Sequence, residues 1–434
     1  MSIPLDRLYH FLNDVTAHAL LIYGWQPHGS KKLQDLGPLF PQTSNWQIKK
    51  TQLPLIFHDQ EPLDYDFSQY VVDQDFCDAI NSWGWEESLW ISLPLIQTLH
   101  KKMHLRSVLD QSFYDLTLLV HSEKNSHQVS LFEKNNFVPV YYWNHAILAR
   151  DWFRYAEHDL LLKTKSQSPK TFLIYNRAWS GSREYRLKFA EIIINTGLDQ
   201  DSIISFSCTD NNVHYQDHNF KNTNFKLDRF DLEKVLPNNV HNSAASADYN
   251  NQDYQNSMIE VVLETLFDDT RHHLTEKALR PIACKQPFIL AGTPGSLTYL
   301  RDYGFKTFDG FIDETYDTIV DPLKRIYAIT QEMQRISALT TDQKNQLIQN
   351  IQPIVEHNQK LFFSQQFHNS IVAEFKKNLD IGVEKIKSGS IGKNWKLIRE
   401  TAIDHCPELF YKCADQTQDE LDWAYSWIDS HTSS

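Results

Sequence analysis

The sequence predicts an α/β protein: two unequal α/β domains followed by a helical tail. Three observations carry this. Short apolar runs recur along the chain and are continuous rather than alternating, as parallel strands covered on both faces should be. Longer stretches of helical character separate them. A polar linker, Lys163 to Lys170, splits the pattern in two. The expected divisions are therefore 1–165, 166–320 and a helical extension over 321–434. A chain of 434 residues agrees with this at roughly 150 residues per domain.

In the first domain the expected strands are Ala19 to Tyr23, Leu53 to Phe57, Leu116 to Val120 and Val138 to Tyr142. Three of them run straight into polar residues: His58-Asp59-Gln60-Glu61, His121-Ser122-Glu123-Lys124 and Trp143-Asn144-His145. Ligands of open α/β sheets gather outside the carboxyl ends of strands, which is where these clusters belong. In the second domain Thr171 to Tyr175, Ile203 to Phe206, Ile259 to Leu263 and Pro287 to Ala291 read as strands, and Arg183 to Asn195 as a helix. The stretch Thr209 to Ser257 is dense in Asn and Asp and poor in aliphatics, so it reads as a functional loop or a partly disordered insertion. From Asp321 to about Lys387 the pattern is helical, and Leu421 to Ile428 adds a short Trp-bearing helix.

Composition narrows the classes. Hydrophobic residues make up 41 % and charged residues 22 %, enough to bury cores and to exclude wholesale disorder. Against 42 Lys+Arg stand 55 Asp+Glu, a net charge of −13 that disfavours sequence-independent nucleic-acid binding while leaving room for a local basic cleft. The five cysteines are too scattered for a disulfide scaffold. Cys406 and Cys413, the only close pair, lack C-x-x-C spacing and a matching second pair, so no zinc site is expected. Met1 to Arg7 shows no signal peptide and no apolar run reaches about 18 residues, so the expectation is a cytoplasmic protein without a membrane span.

Two segments carry chemistry. In the first, a strand ends at Glu264-Thr265, a loop follows, and Thr275 can N-cap a helix whose first turn holds Glu276 and Lys277. A lysine there opposes the helix dipole and should want an anion, and free backbone N–H groups at that end make a phosphate site. The turn Gly292-Thr293-Pro294-Gly295-Ser296 is a second candidate phosphate cradle. The other segment, Asn176-Arg177-Ala178-Trp179-Ser180-Gly181-Ser182-Arg183-Glu184-Tyr185-Arg186, lies where a strand hands over to a helix, with Ser182 a candidate N-cap. Its arginines, Arg177, Arg183 and Arg186, suit bidentate contact with a diphosphate. The plainer alternatives are a surface capping motif and a helix start with solvated arginines.

The run Leu263-Glu264 … Leu274-Thr275-Glu276-Lys277, continuing to Pro287-Phe288-Ile289-Leu290, resembles the donor-binding signature of the α1,3-fucosyltransferases. Asn176 followed by Ser182-Arg183 is similar to that family's upstream Ser-Asn … Ser-x-Arg segment. Thr265 stands where the family has Asn, the following loop is longer, and Gln286-Pro287-Phe288 replaces Val-Pro-Val. The likeness covers residues 171–310 and is closer to bacterial or phage-type relatives than to Golgi enzymes. It implies two Rossmann-like domains facing a cleft, with the acceptor domain first and the nucleotide-sugar domain second. It further implies that Arg183 and Lys277 bind the nucleotide diphosphate and Glu276 the ribose, with Arg177, Arg186, Asn176, Glu264 and Thr275 as further donor-site candidates. The implied co-substrate is a nucleotide-diphosphate sugar, with no cofactor and no metal. An inverting transfer needs a carboxylate base near the acceptor hydroxyl. Glu61 in Phe57-His58-Asp59-Gln60-Glu61-Pro62 loosely resembles the family's base segment, with Asp59 as competitor. His58, His121, His145 and Trp143 are candidate acceptor contacts. The acceptor is expected to be a glycan, or alternatively DNA carrying a modified base; a non-catalytic nucleotide- or carbohydrate-binding module is the second alternative. A metal phosphoesterase built on His58, His121, His145, His272 and His273 is disfavoured, because no pair among these has H-x-x-x-H spacing.

Overall fold

A computed structural model of the chain describes residues 19–22, 53–57, 62–63, 117–134, 137–229, 231–236 and 248–388. Among them lie two four-stranded sheets, parallel throughout, and a C-terminal run of helices: an α/β protein, as the apolar runs predict. The chain divides into two units. One holds residues 124–126 and 145–371, and the other holds the described residues up to 123, 127–144 and 372–388.

The second of these contains β1 (Ala19–Ile22), β2 (Leu53–Phe57), β3 (Thr117–His121) and β4 (Phe137–Tyr141), hydrogen-bonded in that order. Helix α1 (His127–Lys134) buries Phe132 beside this sheet's β4. Tyr142 stacks on Phe375 at 4.6 Å, and Asn378 Nδ2 donates to Tyr141 O at 2.8 Å.

The other unit contains β5 (Lys170–Asn176), β6 (Ser202–Phe206), β9 (Ser257–Leu263) and β10 (Phe288–Ala291), in the order β10-β9-β5-β6. All seven residues of β9 are buried, and five of the seven in β5, which explains why their apolar residues run together instead of alternating; the buried Glu260 within β9 is paired with Arg280 at 2.6 Å. Between β6 and β9 the polar stretch is neither strand-free nor featureless. It forms a two-stranded hairpin, β7 (Thr209–Asp210) with β8 (Val213–His214), several 3-10 turns and a short helix. The described part of a stretch read as a functional loop or a partly disordered insertion thus carries ordered elements. The structure is formed because Tyr215, Phe225 and Leu232 each bury their side chains.

Helix α2 (Asn144–Trp152) begins at the division between the units. Helix α3 (Tyr185–Asn195) follows β5, and after α4 (Asn251–Gln255) and β9 comes α5 (Glu276–Ala283), then β10 and α6 (Ser296–Asp302). Gly304, at φ 89°, ends α6 as the glycine predicts. The helical region is α7 (Pro322–Ser337), α8 (Thr341–Phe363) and α9 (Gln365–Ser388). Asp321 caps α7 through Lys324 N, and Thr340 with Gln343 forms a reciprocal capping box on α8. The expected helix Leu421 to Ile428 lies outside the described residues. Among the described residues no helix is long and apolar enough to cross a membrane.

Candidate functional site

Because β6 is reached from β5 on one side and β10 from β9 on the other, the winding of the second sheet reverses between β5 and β9. In open parallel sheets the loops leaving the two strands at such a reversal part and leave a crevice at their carboxyl ends. Here those loops are Asn176 to Glu184 and Glu264 to Thr275, which are the two segments singled out in the sequence.

The first loop is held from below. Asp210 Oδ2 accepts from Trp179 N at 2.8 Å and Ser180 N at 2.7 Å, and the Trp179 indole donates to Ser207 O at 2.9 Å. Burial raises the Asp210 pKa, but the Ser180 and Trp179 bonds and the Arg183 charge outweigh it and hold the carboxyl below its ordinary value. Ser182 does not cap α3, contrary to expectation. It sits in the 3-10 turn Gly181–Arg183, and its hydroxyl donates across the crevice to Thr265 O at 3.1 Å. Helix α3 begins two residues after that turn, with no side-chain cap.

Arg186 joins the loops from the inside. Its guanidinium donates to Ala178 O at 2.6 Å, Leu263 O at 2.5 Å and Glu264 O at 3.1 Å. Asn176 Nδ2 donates to Arg186 O at 2.8 Å, and Tyr185 Oη to Glu264 O at 2.6 Å. At 3 % exposure Arg186 is spent on backbone carbonyls, so the structure gives it an architectural place and not the ligand contact expected of it. Asn176 is likewise interior, with its Oδ1 unpartnered among the described residues. Arg177 and Arg183 are part-exposed, as a diphosphate contact requires.

The amino end of α5 corrects a second expectation. Thr275 is the N-cap, as its position predicts, and its hydroxyl accepts from Lys277 N at 3.3 Å. Glu264, fully buried, accepts from Thr275 N at 3.0 Å, Thr275 Oγ1 at 2.7 Å, Thr265 N at 3.1 Å and Ala278 N at 3.3 Å. A carboxylate from the protein therefore already occupies the place proposed for phosphate, and Glu264 is an anchor of this helix end.

Lys277 Nζ lies 2.8 Å from Glu276 Oε1, 3.2 Å from Thr275 Oγ1 and 3.5 Å from Thr265 Oγ1. Glu276 is buried, and its other oxygen lies 3.2 Å from His145 Nδ1. Burial pushes the Glu276 carboxyl up, but the Lys277 ammonium and then His145 outweigh it and hold it well below the carboxylate range. His145 meets His273 edge to face at 5.2 Å. Glu276, Lys277 and His145 thus form one ionic cluster beside the Ser182–Thr265 link.

The turn after β10 is also filled. Both oxygens of Asp317 accept from Leu297 N, at 3.3 and 3.2 Å, and Gly295 N donates to Asp317 O at 2.8 Å. Burial pushes the Asp317 carboxyl up to about 6. The expected cradle for phosphate is closed by this side chain. His272 secures the same turn, with Nε2 2.8 Å from Pro294 O and Nδ1 3.3 Å from Asn125 Nδ2, a pattern that assigns the proton to Nε2. Lys124 exchanges two 2.9 Å backbone bonds with His272 and lays its ammonium over Tyr299 and Tyr303, 4.9 and 4.6 Å from the ring centres.

The acceptor candidates fare differently. His121 is buried, its Nδ1 accepts from Glu123 N at 3.3 Å, and burial pushes its pKa down to about 3. Trp143 is fully buried. Neither offers a face to a sugar, because each is enclosed by its own unit's packing or bonded into its strand end. His145 is interior too, as part of the ionic cluster. His58, Asp59 and Glu61 lie outside the described residues. The residues that sequence reasoning passed over, Asp210, Asp317, Tyr185 and Lys124, act through contacts distant in the chain. No family model, no curated protein and no solved structure matches the chain.

Proposed function

We propose that the chain is a nucleotide-sugar-dependent glycosyltransferase whose donor site is the crevice at the carboxyl ends of β5 and β9. The observation that supports this most is the meeting of the two motif-bearing loops there, joined by the Ser182–Thr265 bond, with part-exposed Arg183 on one loop and part-exposed Lys277 at the helix start that follows the other. Winding reversals of parallel sheets are nucleotide sites by geometry. Guanidinium and ammonium groups are the side chains that neutralise a diphosphate leaving group.

In this reading the fold is a pair of Rossmann-like domains, the unit carrying β5 serving the donor and the unit carrying β1 to β4 the acceptor. A carboxylate, Glu61 or Asp59, takes the proton of the acceptor hydroxyl. The hydroxyl oxygen attacks the anomeric carbon, the bond to the diphosphate breaks, and the diphosphate leaves with the electron pair against Arg183 and Lys277. Lys277 exchanges Glu276 for the diphosphate, and the freed Glu276 oxygen faces the ribose hydroxyls. His145 Nδ1, 3.2 Å from the other Glu276 oxygen, stays beside it when Lys277 turns to the diphosphate.

A thermal-shift screen against nucleoside diphosphates and their sugars tests this. A nucleotide at about 100 times Kd should stabilise the protein by about 2.7 kcal/mol. Arg183→Ala and Lys277→Met should each weaken that nucleotide roughly 10- to 100-fold, the loss of one charge-assisted hydrogen bond of about 1.5–3 kcal/mol. If no nucleotide stabilises the protein, or if both variants respond as the parent does, the reading fails. Binding without sugar turnover, unaltered in Glu61→Gln and Asp59→Asn, would place the chain among non-catalytic nucleotide-binding proteins.

A further inference from the structure

Outside that crevice, the hairpin after β6 brings together three side chains of different chemistry. Cys208 directly precedes β7, and His214 ends β8; Thr209 pairs with His214, and Tyr215 N donates to Cys208 O at 3.0 Å. The two-residue turn Asn211-Asn212 has both φ values positive, 48° and 62°, the conformation that matches hairpin twist and that asparagine tolerates. Cys208 and His214 therefore flank the closed hairpin. Glu233 arrives from the 3-10 turn Leu232–Lys234, which Leu232 and Leu236 pin by burial. One ligand atom from each of Cys208, His214 and Glu233 lies within 4.8 Å of the other two.

We propose that Cys208 Sγ, His214 Nε2 and Glu233 carboxylate oxygen form a binding site for one zinc-class divalent cation. Thiolate, imidazole and carboxylate are the donor set that borderline-soft Zn²⁺ takes. Around a tetrahedral zinc, ligand lengths of about 2.0–2.3 Å place N and O about 3.4 Å apart and S about 3.5 Å from each. His214 Nε2 and Glu233 Oε2 already stand at 3.1 Å, and the ligand atom of Cys208 lies within 4.8 Å of both residues' ligand atoms, so closure asks the thiol to draw in. Cys208 is buried, whereas His214 and Glu233 are 29 % and 40 % exposed at their side chains, which opens one side of the site to a water as fourth ligand.

The charge closes as well. His214 Nδ1 accepts from Gln216 N at 3.4 Å, so the imidazole proton sits on Nε2. On binding, a metal–sulfur bond replaces S–H and that proton goes to solvent, while the imidazole proton moves from Nε2 to Nδ1 and the Gln216 N–H gives up its 3.4 Å bond to that nitrogen. The dication then meets one thiolate and one carboxylate, and the complex is neutral. The clamp would tie the hairpin to the 232–234 turn. Asp210, which holds the first crevice loop, belongs to this hairpin, yet the proposal does not depend on the glycosyltransferase reading.

The test uses the full chain, stripped of metal and titrated with Co²⁺ and then Zn²⁺. Co²⁺ should produce a near-ultraviolet thiolate charge-transfer band at one ion per chain, which Zn²⁺ displaces, and Zn²⁺ should raise the melting temperature. Cys208→Ser should abolish the band, and Cys284→Ser should leave it intact. His214→Gln and Glu233→Gln, both on the exposed side and so tolerant of change, should each weaken Co²⁺ at least tenfold. A parent protein without the band overturns the proposal, as does a band of unchanged affinity in both His214→Gln and Glu233→Gln.

Discussion

Glu264→Gln separates an anchor from a ligand. The substitution keeps the shape of the side chain and removes its charge. If the amide oxygen takes the Oε1 position, it still accepts from Thr275 N and Ala278 N. Its NH₂ then faces Thr265 N, which cannot accept, and the Thr275 hydroxyl, whose lone pairs already take Lys277 N and Lys277 Nζ. One buried N–H loses its partner, at about 1–3 kcal/mol. Removing a buried negative charge from the amino end of α5 costs about 1–2 kcal/mol more. The expected loss is therefore roughly 2–5 kcal/mol in total, and more for Glu264→Ala, which strips every acceptor. Urea unfolding gives the overall change, and hydrogen exchange at the Thr265, Thr275 and Ala278 amides locates it. Were Glu264 a donor-site contact, nucleotide affinity would fall while stability and those amides stayed as they are. Unaltered exchange, with a stability change below about 0.5 kcal/mol, would refute the anchoring role.

Three further outcomes follow from the same geometry. Asp317→Asn should show a pH-dependent difference from the parent: a folded-state pKa near 6 against an ordinary 3.8 means the parent loses up to about 3 kcal/mol as pH rises from about 4 to 7, a loss the variant escapes. A difference that does not change over that range in denaturation curves would contradict the assignment. Gly197→Ala and Gly295→Ala each force a left-handed alanine, at φ 72° and 85°, costing about 1 kcal/mol, but only at 295 does the new Cβ meet another group, His272 Nε2 at 3.1 Å. Gly295→Ala should therefore be about 1 kcal/mol worse by thermal melting, and equal losses would show that His272 yields freely. Arg186→Lys cannot span Ala178 O, Leu263 O and Glu264 O together and should cost about 2–4 kcal/mol; a neutral effect in urea unfolding would mean the loops are held by other contacts.

What the sequence by itself determined was everything carried by local or periodic signals. In β5 and β9 the apolar residues run together because parallel strands are covered on both faces, and that burial is legible from the runs alone. Thr275 as an N-cap, Gly304 as a helix terminator and the helical region after Asp321 follow from bonds that close within a few residues. The two loops at the β5–β9 reversal were legible as handovers from strand to helix for the same reason, since strand ends and helix starts are local events.

Only the tertiary structure decided which of the charged residues in those loops are consumed internally. Arg183 and Arg186 look alike three positions apart, yet one is part-exposed and the other donates to carbonyls at the carboxyl end of β9. Glu264 and Glu276 both flank Thr275, yet one caps the helix and the other pairs with Lys277 and His145. Asp317 fills a turn that lies more than twenty residues before it, and Cys208, His214 and Glu233 converge across a stretch that reads as featureless. Hydrogen bonds and ion pairs between residues distant in the chain depend on where the backbone brings them, and no spacing rule encodes that. The sequence settles where charge is concentrated; the fold settles which of that charge is tied to partners distant in the chain.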